Sequence, residues 1–152
     1  MDVNDFFLTD FSEELFLNAF KKMLLEEYGI ISVDNFELMQ KKLESDGDSF
    51  AYVKQSDDNE IEGLIIAKVI KLSKGSFEAV FGYISTLWIS KDCLKQDCGV
   101  QLLELCEKQF KKRQITQFIA DSDISNVELF RNNNYTRNKS IMHNGQAVLC
   151  KM

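Results

Sequence analysis

The chain has 152 residues, is 45% hydrophobic and 28% charged, and carries a formal net charge of −6, which describes one globular domain with a real core rather than two domains or a disordered chain. The acidic balance speaks against non-specific nucleic-acid binding, which needs basic patches. No apolar run nears the ~20 residues that cross a membrane, and residues 1–10 lack the basic start of a secretory signal, so a cytoplasmic protein is expected.

Phe6 to Leu8 reads as a short strand. Asp10 or Ser12 then caps a helix to about Tyr28, in which Leu15, Phe16, Ala19, Phe20, Met23 and Leu24 recur at helical spacing. Gly29 ends it. Ser32 or Asp34 opens a second helix, with Phe36, Met39 and Leu43 on its inner face, and residues 45–49 close it. A β-rich stretch follows: Phe50 to Lys54, a turn at Ser56 to Asn59, Ile61 to Leu72, a turn at Ser73 to Ser76, and Phe77 to Ile89.

After a polar connection the pattern returns to helix from about Cys98 to Arg113. Leu102, Leu103, Leu105 and Cys106 are expected inside, and Glu104 and Glu107 in water. Gln117 to Ala120 reads as a short buried strand and Ser125 to Arg131 as a short helix. Tyr135 to Met142 and Gln146 to Lys151 form a hairpin around Asn144-Gly145, a strong turn dipeptide. The order β-α-α-β-β-β-α-β-α-β-β gives an α+β domain, 1–152, with a mixed central sheet and helices on both faces.

The four cysteines, Cys93, Cys98, Cys106 and Cys150, form no C-x-x-C pair, and His143 is the one histidine. No structural metal site is expected from that spacing. Reduced thiols are the plain reading, with Cys106 in the core and Cys93 and Cys98 in the loop. A reactive, low-pKa Cys98 at the helix start is the sharper alternative. His143, beside the last turn, reads as an exposed loop residue.

The run from Ile84 to Glu107, strand then loop then helix, gathers free backbone N–H groups at one point, which suits a phosphate-bearing ligand. Leu87-Trp88-Ile89, then Leu102-Leu103 to Glu107, and further on Leu129-Phe130 to Tyr135, together resemble the GNAT superfamily of acyl-CoA-dependent N-acyltransferases. The resemblance covers the whole chain as a pattern and is sharpest from Tyr83 to Tyr135. It implies acetyl-CoA as co-substrate and a primary amine, on a small molecule or a protein, as acceptor. It also implies a homodimer through edge strands.

What the resemblance implies for single residues follows the same alignment. The backbone N–H of Leu87 would meet the thioester oxygen, an oxyanion-hole device that needs no particular side chain. Ile89 would offer backbone groups to the pantetheine arm, and Trp88 could stack on the ligand, although it reads first as a strand residue packed under a helix. Leu94, Lys95, Gln96, Asp97, Cys98, Gly99 and Val100 would hold the diphosphate. Here the family's loop signature, Q/R-x-x-G-x-G/A, departs: Leu94 stands at the Arg or Gln position and Asp97 at the first glycine. A second register puts Gln96, Gly99 and Gln101 in those places. Asp97 also reads as a simple helix cap. Phe130 replaces the tyrosine that often serves as general acid. Tyr83 and Ser85 on the fourth strand are the candidate catalytic side chains, Glu78 lies further up it, and Asp121 and Asp123 after the fifth strand are further candidates, Asp123 also for the coenzyme. Asp34, Glu37, Asp46 and Asp48 are acids that could attract a cationic acceptor.

Overall fold

A computed structural model describes residues 5–29, 33–45, 48–93, 97–143 and 145–152. The elements are β1 (Phe6–Thr9), α1 (Glu14–Tyr28), α2 (Val33–Glu44), β2 (Ser49–Gln55), β3 (Ile61–Lys74), β4 (Phe77–Ile89), α3 (Cys98–Lys112), β5 (Phe118–Asp121), α4 (Val127–Asn132), β6 (Thr136–His143) and β7 (Gln146–Lys151). The expected order is therefore the observed one. The strands form one mixed sheet, β1-β2-β3-β4-β5-β7-β6, in which only β4 and β5 run parallel.

Helices cover both faces. Phe16, Ala19, Phe20, Met23 and Leu24 of α1 pack with Phe36 of α2 onto Ala51, Val53, Leu64, Ile66 and Trp88. On the other face Leu102, Leu103, Cys106 and Phe110 of α3 and Phe130 of α4 pack onto Phe50, Ile65, Ala67, Ile84 and Leu87. Alternation along each strand sends neighbours to opposite helices, as a two-sided sheet requires. Glu13, rather than Asp10 or Ser12, stands at the cap of α1, and its carboxylate accepts from the Asp10 N–H at 3.0 Å. Ser32, Asp46 and Asn144 lie outside the described residues. Met39, expected inside, is exposed.

Two buried charges organise the α3 face. Lys54 has no exposed side-chain surface and donates to Glu62 at 2.9 Å and Asp5 at 3.3 Å. Burial opposes its charge, but those hydrogen bonds outweigh it and raise its pKa. Glu107 was expected in water and is instead buried. It accepts from the Tyr135 hydroxyl at 2.7 Å and from Lys151 Nζ at 2.9 Å, so a cation on β7 gives the carboxylate a reason to face inward.

Close packing also fixes the middle of β4. A Cβ on Gly82 would stand 2.5 Å from the Phe110 ring of α3. Gly82→Ala should destabilise the protein by about 1–3 kcal/mol, read from the midpoint of urea unfolding, and Phe110→Leu in the same chain should recover part of it. A Gly82→Ala midpoint equal to wild type would refute this packing.

Candidate functional site

The sheet splits in its middle. Gly82, Tyr83 and Ile84 pair with Phe118, Ile119 and Ala120, and there the β4–β5 pairing ends. The cause lies in β4. Thr86 pairs with Ile66 and Ile84 with Ala67, so Ser85 is an extra residue, a bulge that bends the strand. The Ser85 hydroxyl donates to the Ile66 carbonyl at 3.2 Å. Meanwhile β5 stops at Asp121, and the chain turns toward α4 with the Ile124 N–H on the Asp121 carbonyl at 3.1 Å.

Beyond the split, β4 from Ser85 to Ile89 pairs with β3 alone among the described strands. The Asn126 side-chain amide donates to the Leu87 carbonyl at 2.9 Å from the α4 side. A strand residue points its N–H and C=O to the same edge, so the Leu87 N–H faces the gap as well. Ser90 points the other way, its N–H on the Glu62 carbonyl at 2.9 Å, which turns Ile89 to the gap with Leu87. Asn126 holds a left-handed backbone, φ 64°, a conformation asparagine tolerates better than most residues. Sequence reasoning missed it; an asparagine just ahead of a short helix was the available signal.

A cleft of about 320 Å³ opens at the split, lined by Leu87, Ser85, Asp121 and Asp123 on one side and Glu27 and Tyr28 of α1 on the other. A second lobe of about 330 Å³ adjoins it across Ser85 and Thr86, reaching Tyr83, Ile66 and Lys68 under Met39 and Leu43 of α2. The acids at the cleft are thus Glu27, Asp121 and Asp123. Asp46 and the side chain of Asp34 lie outside the description, and Glu78 is on the distant β3–β4 hairpin, 3.9 Å from Lys71.

The expected catalytic side chains fall as follows. The Tyr83 hydroxyl donates to Asp121 Oδ2 at 2.6 Å, and burial first, then Asp121, push its pKa well up. Tyr83 keeps its proton and is no base at neutral pH. His143, expected in an exposed loop, has its Nδ1 3.0 Å from Asp121 Oδ1, and its ring lies 4.7 Å from that of Tyr83. Trp88 is buried under α1. Phe130 is wholly buried, edge-on to Tyr135 at 5.1 Å, and offers a ligand no surface.

Leu94, Lys95 and Gln96 lie outside the described residues. Asp97 stands at the cap of α3 but makes no side-chain cap bond; it is exposed, and Gln101 Nε2 donates to its Oδ2 at 3.1 Å. The carboxylate is therefore drawn along the helix, leaving the N–H groups of Cys98, Gly99 and Val100 uncapped by the Asp97 side chain. Those first amides have no partner inside a helix. Gly99 has a packing role: a Cβ there would sit 2.5 Å from Leu129 of α4. The Cys98 thiol is buried, and its pKa is pushed up to about 12 by that burial and then by neighbouring Cys93, which overturns the reactive-thiol reading. Glu26 of α1 anchors the start of the loop, accepting from the Ser90 hydroxyl at 2.9 Å and the Lys91 N–H at 3.1 Å.

No protein-family model matches the chain, and no curated protein sequence is similar to it. Solved structures do match. A predicted acetyltransferase from Clostridium acetobutylicum, solved with acetyl-CoA, superposes with a TM-score of 0.71 at 12% identity over 91% of this chain and 93% of the other. An aminoglycoside N-acetyltransferase in complex with CoA gives 0.71 at 8% identity over 91% of each chain. The PaiA N-acetyltransferase from Thermoplasma acidophilum, in complex with coenzyme A, gives 0.62 at 16% identity over 96% and 98%. The order of elements, the mixed sheet and the helices on both faces agree with the likeness first met in the sequence: this chain has the GNAT acyltransferase fold.

Proposed function

We propose that this protein is an N-acetyltransferase that moves an acetyl group from acetyl-CoA to a primary amine by direct transfer in a ternary complex. The observation that carries the reading is the parted β4–β5 edge, with the Leu87 peptide turned into a gap that opens on an acid-lined cleft. A thioester carbonyl lying along β4 meets the Leu87 N–H, a fixed donor where negative charge grows in the transition state. The pantetheine arm runs between β4 and α4 past Ile89, and the diphosphate sits on the first amides of α3. Asp97, turned to Gln101, leaves those amides open. The acceptor amine enters from the cleft under α1 and α2, drawn as an ammonium by Glu27, Asp121 and Asp123.

Burial of the Cys98 thiol supports direct transfer. A cysteine that carries the acyl group must reach the thiolate state, and Cys98 at the mouth of the loop is buried with its pKa raised. Phe130 favours a second reading, a domain that binds the coenzyme without turnover, since a phenyl ring has no proton for the leaving thiolate.

Acetyl-CoA should stabilise the protein saturably, by about 2.7 kcal/mol at a hundredfold excess over its dissociation constant, or roughly 5–10 °C in melting temperature. Asn126→Ala should cut that stabilisation by freeing one wall of the gap. A melting curve indifferent to millimolar acetyl-CoA defeats both readings; saturable stabilisation with no coenzyme A release across a broad amine panel supports the second. Incubated with acetyl-CoA alone, the intact protein should show no acetyl adduct on cysteine by mass spectrometry. A stoichiometric adduct that an added amine discharges would replace direct transfer with a covalent relay.

A further inference from the structure

We propose that His143 takes the proton from the acceptor ammonium, with Asp121 fixing its tautomer and Tyr83 clamping Asp121. The inference rests on the transferase reading and assigns a proton acceptor to that site. Three strands supply the group: Tyr83 from β4, Asp121 from β5 and His143 from β6. Tyr83 donates to one carboxylate oxygen at 2.6 Å, and His143 Nδ1 lies 3.0 Å from the other. An ionised carboxylate only accepts hydrogen bonds. Nδ1 is therefore the donor, so in the neutral tautomer the lone pair is on Nε2. Tyr83 holds its own proton, and both Asp121 oxygens already face donors, which leaves Nε2 as the basic atom of the three.

Position supports the role. Asp121 lines the lobe that contains Leu87, and Tyr83 lines the lobe across Ser85. The imidazole, hydrogen-bonded to the first at 3.0 Å and packed on the second at 4.7 Å, sits one residue behind the lining of both lobes. Its side chain is 19% exposed, so water can carry a proton to it and away again. The charged groups around it are Asp121, Asp123, which acts on Tyr83 through space, and Glu27 across the cleft, with Lys68, the β3 partner of Tyr83, and Lys42 on the other lobe. The three acids line the lobe that holds Leu87 and favour an ammonium arriving there.

The steps balance. The ammonium gives one proton through water to Nε2, and the imidazolium faces the Asp121 carboxylate. The neutral amine nitrogen then bonds to the thioester carbon, the carbon–sulfur bond breaks, and the second amine proton ends on the departing thiolate. Nε2 releases the first proton to solvent. This is the nucleophile–base–orienter logic with a free amine as nucleophile.

Two probes of similar shape separate a proton role from a structural one. Benzylamine is an ammonium at neutral pH, and aniline is already neutral. His143→Gln and Asp121→Asn should each lower the benzylamine-to-aniline rate ratio about 10- to 100-fold, and the acid limb of the benzylamine pH–rate profile should move upward. Equal losses with both amines, or an unchanged ratio, overturn the assignment. A second measurement needs no turnover. As the one histidine in the chain, His143 gives a single set of imidazole C–H resonances, which benzylamine with coenzyme A should shift; a set that stays put overturns the assignment too. Acetyl-CoA stabilisation of the His143→Gln protein keeps the transferase reading alive whichever way these results fall.

Discussion

One extra residue in β4 governs this molecule. Buried backbone groups must find partners, and a parallel neighbour normally supplies them along a whole strand. The bulge at Ser85 turns β4 aside after three pairs with β5, so a strand edge opens inside the domain. The chain repairs only part of that loss, with the Asn126 amide on the Leu87 carbonyl. The adjacent N–H is a fixed donor with no strand beside it. An edge of this kind on the outside of a sheet invites pairing with another chain. Between α1 and α4 it suits something thin and extended with acceptors of its own, as the proposed pantetheine arm is.

The rest of the fold holds that opening at a set width. On the α3 face, Lys54 with Asp5 and Glu62, and Glu107 with Tyr135 and Lys151, are buried ion pairs with further hydrogen bonds. Such pairs add little net stability, but removing one partner strands a charge and costs several kcal/mol. The first ties β2 and β3 to the residue before β1, and the second fixes α3 against β7. Gly99 under Leu129 then brings α3 close to α4, and Gly82 under Phe110 brings β4 close to α3. From the opposite face, Glu26 pins the loop after β4 to α1. The gap lies between parts that are each tied to the sheet by polar contacts of fixed length.

The element order was legible in the sequence because it depends on local repeats: helical spacing in α1 and α3, alternation in β2 to β4, and Gly and Asn at the turns. Leu87 could be named from the sequence because the expectation concerns only its backbone. The groups around it were not. Asn126 meets Leu87 across 39 residues, Tyr83 meets Asp121 across 38, and His143 meets Asp121 across 22. No periodicity encodes such pairs; they exist only once strand register is set. Glu107 went to the wrong side for the same reason, since helix spacing carries no word of Lys151 on β7. Gly99 kept its place in a loop motif while doing a different job, packing against α4.

In the proposed transfer, the absence of a hydroxyl at Phe130 shifts weight to the amine side of the reaction. Phe130 fills a closed space against Tyr135, so a donor there would have nothing to approach in this arrangement. The leaving group is a thiolate, which departs without full protonation, so loss of an acid weighs less than it does for an alkoxide. The acceptor has no such latitude. An ammonium carries no lone pair, and until a proton is removed there is no nucleophile at all. Demand for proton chemistry therefore falls on the amine side of the gap, where the cleft collects its carboxylates and where β4, β5 and β6 bring a tyrosine, an aspartate and the chain's one imidazole within hydrogen-bonding and ring-contact distance.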